Sequence, residues 1–283
     1  MKNKFLKSAT AVILCGGRGA RLGTLGDKVP KTLVKVNNKE ILWYILNHLK
    51  IHGFKNIILP LGYKGELIKK FLKNNKNFDL NIKTINTGIK TNIGKRLSLI
   101  NNQIESENFL LLNGDGIFRF NLKNIYKNHR KKNLGATFIS GEFTYAYGTI
   151  GVKNNKIIDF KRNLVFQSLN IRNDEKYQAF NYTGMSIVKT ELLRKFDKFF
   201  KNSENFEQEF YPRVIKKFRT ELIKVKGFWH SIDSVKDLDI VNNSSVKNQK
   251  FKRLKNLKNF LKKNYFKNYK KPSGILREEP KVV

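Results

Sequence analysis

Residues Thr10–Leu22 read TAVILCGGRGARL. A mostly apolar run, TAVIL, ends in CGGRG, with three glycines in four positions. That is a buried strand running into a glycine-rich turn. Such a turn can hold a dinucleotide, hold a phosphate chain, or simply reverse the chain. The dinucleotide fingerprint needs G-x-G-x-x-G. The order Gly16-Gly17-Arg18-Gly19-Ala20-Arg21 fails its second spacing. A Walker loop needs Gly-Lys-Ser/Thr, which is absent. What remains is a strand-to-helix loop with two arginines, followed by Pro30–Lys31. Backbone N–H groups cleared of side chains cradle phosphate oxygens, and Arg21 and Lys31 would clamp the charge. The bland alternative is a tight turn with surface bases.

Outward from this loop the pattern alternates. KEILWYILNHLKIHGF sets Ile41, Leu42, Ile45, Leu46 and Leu49 on one helical face, with Gly53 as its stop. KNIILPLGY predicts a strand, KGELIKKFLKNN a helix, LNIKTINTG a strand, GKRLSLINNQI a helix and NFLLLNGDG a strand ending in an acidic turn. This alternation predicts an α/β fold, a doubly wound, mostly parallel sheet. After about residue 135 strands are expected in GATFISGEF, YGTIGVKNNKIIDFKRN (turning at Asn154–Asn155) and NYTGMSIVK. Helices are expected in KTELLRKFDKFF and FEQEFYPRVIKKF. TELIKVKGFWHSIDS reads as a strand leading into polar turn residues, and VKDLDIVNN starts a helix. No Gly/Ser/Pro-rich linker separates the halves, so the second half is expected to continue the first sheet.

The 57 Lys and Arg against 22 Asp and Glu give a net charge of +35. Charge alone suggests nucleic acid or an acidic membrane. The lysines are dispersed, however, and Lys, Asn and Ile abound along the whole chain, as AT-rich coding produces. No nucleic-acid motif accompanies them, so nucleic acid is set aside as a partner. The basic start and short apolar stretch of MKNKFLKSATAVILCGG imitate a signal peptide. The stretch carries the glycine motif in place of a cleavage site, so none is expected. The single cysteine, Cys15, excludes an internal disulfide framework and fits a reducing, cytoplasmic compartment. The expected organisation is one domain over 8–243 and a basic tail, partly helical, over 244–283. No acidic residue lies between Asp239 and Glu278. Leu254, Leu257, Leu261 and Tyr265 share a helical face there, suited to docking on the protein body, on a second subunit or peripherally on an anionic membrane, with a disordered tail as the remaining alternative.

Two acidic positions stand out. Asp115, just past a buried strand, is either a Mg²⁺ ligand or a helix N-cap. Asp233, in GFWHSIDS, says little alone.

The arrangement G-G-x-G-x-R-L followed by Pro-Lys resembles the sugar-1-phosphate nucleotidyltransferases. Their signature is L-x-G-G-x-G-T-R-L, then P-K-P-L or P-K-P-M. This chain has LCGGRGARL and PKTLVKV, with Ala20 replacing Thr and Thr32 the second Pro. The resemblance spans about residues 10–242. It implies a Rossmann-like fold of the nucleotide-diphospho-sugar transferase type with a small added β/α sugar-binding part. It implies condensation of an NTP with a sugar 1-phosphate to an NDP-sugar and pyrophosphate, with Mg²⁺. Leu14, Gly16, Gly17, Gly19 and Ala20 would line the nucleotide site, and Arg21 and Lys31 would hold the triphosphate and the developing charge. Asp115 and Asp233 would bind Mg²⁺.

Several stretches resemble the glucose-1-phosphate cytidylyltransferase branch: ILWY, GYKGELIKKF, TGIKTNIGKRL, FEQEFYP and GFWHSIDS. The four-residue gap from Trp229 to Asp233 is informative, since other branches use two. This favours CTP and assigns Thr91, Arg96 and Gly114 to the nucleotide. GTP or UTP, or an inactive ligand-binding homologue, are the alternatives. The family's F-x-E-K, whose Lys holds the sugar phosphate, is here DFKRN, with Lys161 for Glu and Arg162 for Lys. Tyr147, Gly148, Arg162 and Gly184 (in NYTGM) are then the expected sugar-phosphate contacts, and the change puts glucose 1-phosphate in question. A homo-oligomer and a role in cell-envelope polysaccharide synthesis are further implications of the family.

Overall fold

The structure, a computed structural model, describes residues 4–166, 168–170, 178–225 and 228–242. Its main strands are β1 (Thr10–Leu14), β2 (Asn56–Leu61), β3 (Asn81–Asn86), β4 (Asn108–Asn113), β5 (Gly116–Arg119), β6 (Ala136–Ser140), β7 (Phe143–Lys153), β8 (Lys156–Phe166), β9 (Tyr182–Lys189), β10 (Thr220–Lys224) and β11 (Phe228–Ser231). The main helices are α1 (Ile41–His52), α2 (Gly65–Asn74), α3 (Ile93–Ile100), α4 (Leu122–Lys131), α5 (Thr190–Phe200), α6 (Phe206–Lys217) and α7 (Val235–Asn242).

Seven strands form the central sheet in the order β10-β6-β9-β4-β1-β2-β3. All neighbours are parallel except those of β9, which runs antiparallel to both β4 and β6. The expected doubly wound sheet is present, and β6, β9 and β10 continue it from the second half. Thr10, Ala11, Val12 and Ile13 are all buried, because a central parallel strand is covered on both faces. α1, α2 and α4 pack one face around Leu42, Leu46, Ile68 and Tyr126. α3, α5 and α6 pack the other around Leu97, Phe196, Phe200 and Phe210. α1 stops where expected. Gly53 takes a left-handed φ of 94° and its N–H reaches the carbonyls of Leu49 and Lys50.

Three features differ from the sequence reading. α4 was not anticipated, although Leu122, Ile125, Tyr126 and His129 stand at helical spacing and are its buried residues. Its first turn is capped by the Asn121 side chain, which accepts from the Asn124 N–H. The single strand expected in TELIKVKGFWHSIDS is two. β10 joins β6 in the central sheet, whereas β11 pairs antiparallel with β5. Third, β7 and β8 form a two-stranded ribbon, turned at Asn154–Asn155, that pairs with no other described strand. The tail over 244–283 lies outside the described residues.

Candidate active site

The strand order reverses between β1 and β4: β2 and β3 follow on one side of β1, and β4 lies on the other. Loops leaving the C-terminal ends of β1 and β4 diverge there, and such switch points open a crevice. A cavity of about 480 Å³ occupies it. Leu14 to Arg18 enter from β1, and Asn113, Gly114 and Asp115 from β4. Tyr63 comes from the end of β2, and Ile89 to Ile93 with Arg96 from the passage between β3 and α3.

Gly16 is glycine because Arg96 lies against it. A Cβ built on Gly16 would stand 2.1 Å from the guanidinium carbon. Arg96 is only 5% exposed and is held by oxygens alone. It donates to Thr87 Oγ1 (2.6 Å), the carbonyls of Leu61 and Gly16 (both 3.2 Å) and that of Ile89 (3.4 Å). Burial lowers its pKa. One side chain thus ties together the loops after β1, β2 and β3.

Lys31 follows Pro30 into a short 3₁₀ turn (Lys31–Leu33). Its ammonium donates to Asp115 Oδ2 at 2.7 Å and Asp233 Oδ1 at 2.8 Å. Arg21 Nη2 lies 3.9 Å from the same Asp233 oxygen. Four residues singled out in sequence, Arg21, Lys31, Asp115 and Asp233, therefore meet. The β5–β11 ladder causes it. Ser231 pairs with Gly116, and Ile232 N–H donates to the Asp115 carbonyl, so Asp233 arrives beside Asp115. Ser231 Oγ donates to Asp233 Oδ2 at 2.5 Å. The turn beyond is fixed by a reciprocal cap between Ser234 and Asp237 at the start of α7. Burial would lower the Lys31 pKa, but the two carboxylates outweigh it and raise it. Burial would raise the Asp233 pKa. Hydrogen bonds from Lys31 and Ser231, with the charges of Lys31 and Arg21, hold it below the ordinary carboxylate value instead. The N-cap alternative for Asp115 is overturned: a strand, β5, follows it, and its carboxylate goes to Lys31.

Of the other expected nucleotide residues, Leu14, Gly16, Gly17, Lys31, Thr91, Arg96 and Gly114 line the cavity. Gly19 and Ala20 are not among its lining residues, because the chain turns away there into the 3₁₀ turn Ala20–Leu22. Arg21 is 79% exposed at its side chain and reaches toward Asp233. Gly184, on β9, does not line the cavity but packs against Asn113, which does: a Cβ there would lie 2.5 Å from Asn113 Nδ2. Gly148 and Arg162 face each other across the β7–β8 ribbon. Arg162 does not line the cavity, since the ribbon pairs with no strand of the central sheet. The Tyr147 side chain lies outside what is described. Sequence reasoning missed Arg18, Tyr63 and Lys90 as lining residues, although all three sit in stretches it had quoted. Cys15 is buried and burial pushes its thiol pKa far up, so it is no nucleophile.

The model of the family described as "Nucleotidyl transferase" matches residues 10–162, more than half of the chain. The chain belongs to the nucleotidyl transferase family. The match begins at β1 and runs through the glycine loop, Lys31 and Asp115 to Arg162. This nucleotidyl transferase is 29% identical over 252 residues to the Bacillus subtilis (strain 168) protein named "Probable glucose-1-phosphate cytidylyltransferase", covering 82% of this chain and 94% of that one. It is 28% identical over 213 residues to D-glycero-alpha-D-manno-heptose 1-phosphate guanylyltransferase of Aneurinibacillus thermoaerophilus, covering 71% and 87%. The crystal structure of HddC from Yersinia pseudotuberculosis superposes with a TM-score of 0.60 at 18% identity, over 82% of this chain and 97% of that one. That likeness shows the shared fold.

Proposed function

We propose that this enzyme condenses an NTP with a sugar 1-phosphate, releasing pyrophosphate and an NDP-sugar. The observation that carries the reading is the meeting of Lys31, Asp115 and Asp233 beside a glycine-lined cavity at the switch point of the sheet. A sugar-phosphate oxygen attacks the α-phosphorus of the NTP, and the bond to the β-phosphate breaks as pyrophosphate leaves. No protein nucleophile is needed; positioning and charge stabilisation suffice. The raised pKa of Lys31 keeps it a cation, suited to hold the reacting phosphates. Arg21, exposed beside Asp233, stabilises the leaving pyrophosphate. Arg96 holds the loops that form the nucleotide site.

The residues present fit a Mg²⁺ ion. Two carboxylates that converge on one ammonium also converge on one small cation. Among the described residues no group of three His, Cys, Asp or Glu side chains forms a metal cage. Mg²⁺ suits such a pair because it keeps waters and binds one or two carboxylates plus substrate phosphates. When bound, it would neutralise phosphate oxygens that otherwise repel the incoming phosphate. Asp115 and Asp233 would hold it, and Lys31 would turn to the substrate phosphates.

CTP is the favoured nucleotide because five separate stretches resemble the cytidylyltransferase branch. The 29% and 28% identities to a cytidylyl and a guanylyl relative are too close to choose by themselves. Arg162, with Tyr147, Gly148 and Gly184, is assigned to the sugar phosphate, and Arg can replace Lys there, even bidentately. The proposal includes a homo-oligomer, which sedimentation reads. A matrix of NTPs against sugar 1-phosphates, followed by pyrophosphate release with Mg²⁺ and with chelator, tests the whole. CTP is expected to give the highest kcat/KM and chelator to abolish turnover. Turnover unaffected by chelator removes the metal, and a better rate with GTP or UTP removes the base assignment.

A further inference from the structure

We propose that Arg18, the one non-glycine residue in the loop Gly16–Gly19, binds the triphosphate of the NTP and that Asp27 holds it in reserve until the nucleotide arrives. This rests on the nucleotidyl-transfer reading of the cavity. Arg18 lines the cavity beside Gly17 and Tyr63. Its Nε and Nη2 both donate to one oxygen, Asp27 Oδ1, at 3.2 and 2.6 Å. Both side chains are exposed, 63% and 57%, so water and salt screen the pair and a stronger anion can displace it.

Two of the other three cations that line the cavity are engaged by the protein. Lys31 is balanced by two carboxylates, and Arg96 is buried among protein oxygens. Arg18 keeps a flexible side chain and a partner of charge −1, against about −4 on a free triphosphate, so the triphosphate wins the competition for the guanidinium.

Asp27 is the fixed member of the pair. Tyr63 Oη and Lys64 Nζ both donate to its backbone carbonyl, at 3.2 and 2.5 Å. The preceding Gly26 packs so closely that a Cβ there would stand 2.6 Å from the Gly19 carbonyl oxygen. The backbone that carries the carboxylate is therefore held in place, and exchange requires that the Arg18 side chain leave it.

The test is the NTP KM of the wild type, Arg18→Ala, Asp27→Asn and the double variant, measured by pyrophosphate release at fixed Mg²⁺. Arg18→Ala is expected to raise the NTP KM about tenfold and to leave the sugar-1-phosphate KM within about twofold. Asp27→Asn is expected to lower the NTP KM about two- to threefold, and to have no such effect in the Arg18→Ala background. A pair that merely braces the loop makes both single variants raise the KM, and that result overturns the proposal. So does an unchanged NTP KM in Arg18→Ala. Calorimetric binding of inorganic triphosphate reads the same contact without turnover. Binding weakened by Arg18→Ala in an enzyme that turns over no NTP and sugar-phosphate pair would overturn the reaction and keep the contact. Binding that Arg18→Ala leaves intact would overturn the contact.

Discussion

The cavity between β1 and β4 and the β7–β8 ribbon carry the two halves of the expected chemistry, and they are built differently. Around the cavity two cations have partners on several segments: Arg96 bridges three loops, and Lys31 joins two carboxylates. Among the described strands, the two of the ribbon pair only with each other. Val152 pairs with Ile157 and Ile150 with Phe160, which puts four large apolar side chains on one face. They are 56–73% exposed. Two strands alone cannot bury such a face. The half proposed for the triphosphate is thus held together by the protein's own contacts, whereas Arg162, proposed for the sugar phosphate, does not line the cavity. The difference teaches that the same ladder of backbone bonds positions chemistry only where a third layer packs on it.

Substitutions that strike both halves sharpen this contrast. Lys31→Ala should cost the most, about 10³-fold in kcat/KM, because it removes a cation from the reacting phosphates. Asp233→Ala should match it for Mg²⁺-dependent turnover while leaving the far-UV circular dichroism unchanged. Wild-type activity in Asp233→Ala would remove the metal assignment. Gly16→Ala comes next. It must push Arg96 aside, so it should cost about 2–4 kcal/mol in stability, read by denaturant midpoint, and raise the NTP KM. A neutral Gly16→Ala would mean that Arg96 does not brace the loop. Arg162→Ala should be milder, raising the sugar-1-phosphate KM about tenfold with the NTP KM unchanged. A change in the NTP KM instead would join the two regions into one site.

The smallest effect is a pH dependence of the scaffold. His129 is buried between Thr137 Oγ1 (2.9 Å) and Asn108 Oδ1 (3.0 Å), and burial lowers its pKa to about 4. The unfolded chain binds that proton near pH 6.5, the folded one only near 4. Stability from this group is therefore complete above about pH 6.5 and lost as pH falls toward 4, at no more than about 1.4 kcal/mol per pH unit. His48 and His52 are shifted the same way by burial. His129→Gln should flatten the slope of stability between pH 6.5 and 4, as read by urea midpoints. An unchanged slope would assign it to the other histidines.

Much of this was legible in the chain. Strands β1 to β4 and helices α1 to α3 are visible because each is local: an apolar run of strand length, or a face at helical spacing. α4 carried the same signal in Leu122, Ile125, Tyr126 and His129, diluted by six polar or basic neighbours. The split of β10 from β11 carried none. Which strand each joins depends on a partner far away in sequence, and the residues of both read as extended chain.

The sequence by itself determined the glycine loop, its arginines and the parallel sheet beneath it, since close backbone approach and periodic burial are written in consecutive residues. Only the tertiary structure decided that Lys31 stands between Asp115 and Asp233, that Arg96 turns under Gly16, and that Arg162 stays out on the ribbon. The reason is physical. Those positions follow from strand pairings and helix packing between segments far apart in the chain, and no local pattern encodes which distant carboxylate an ammonium will meet.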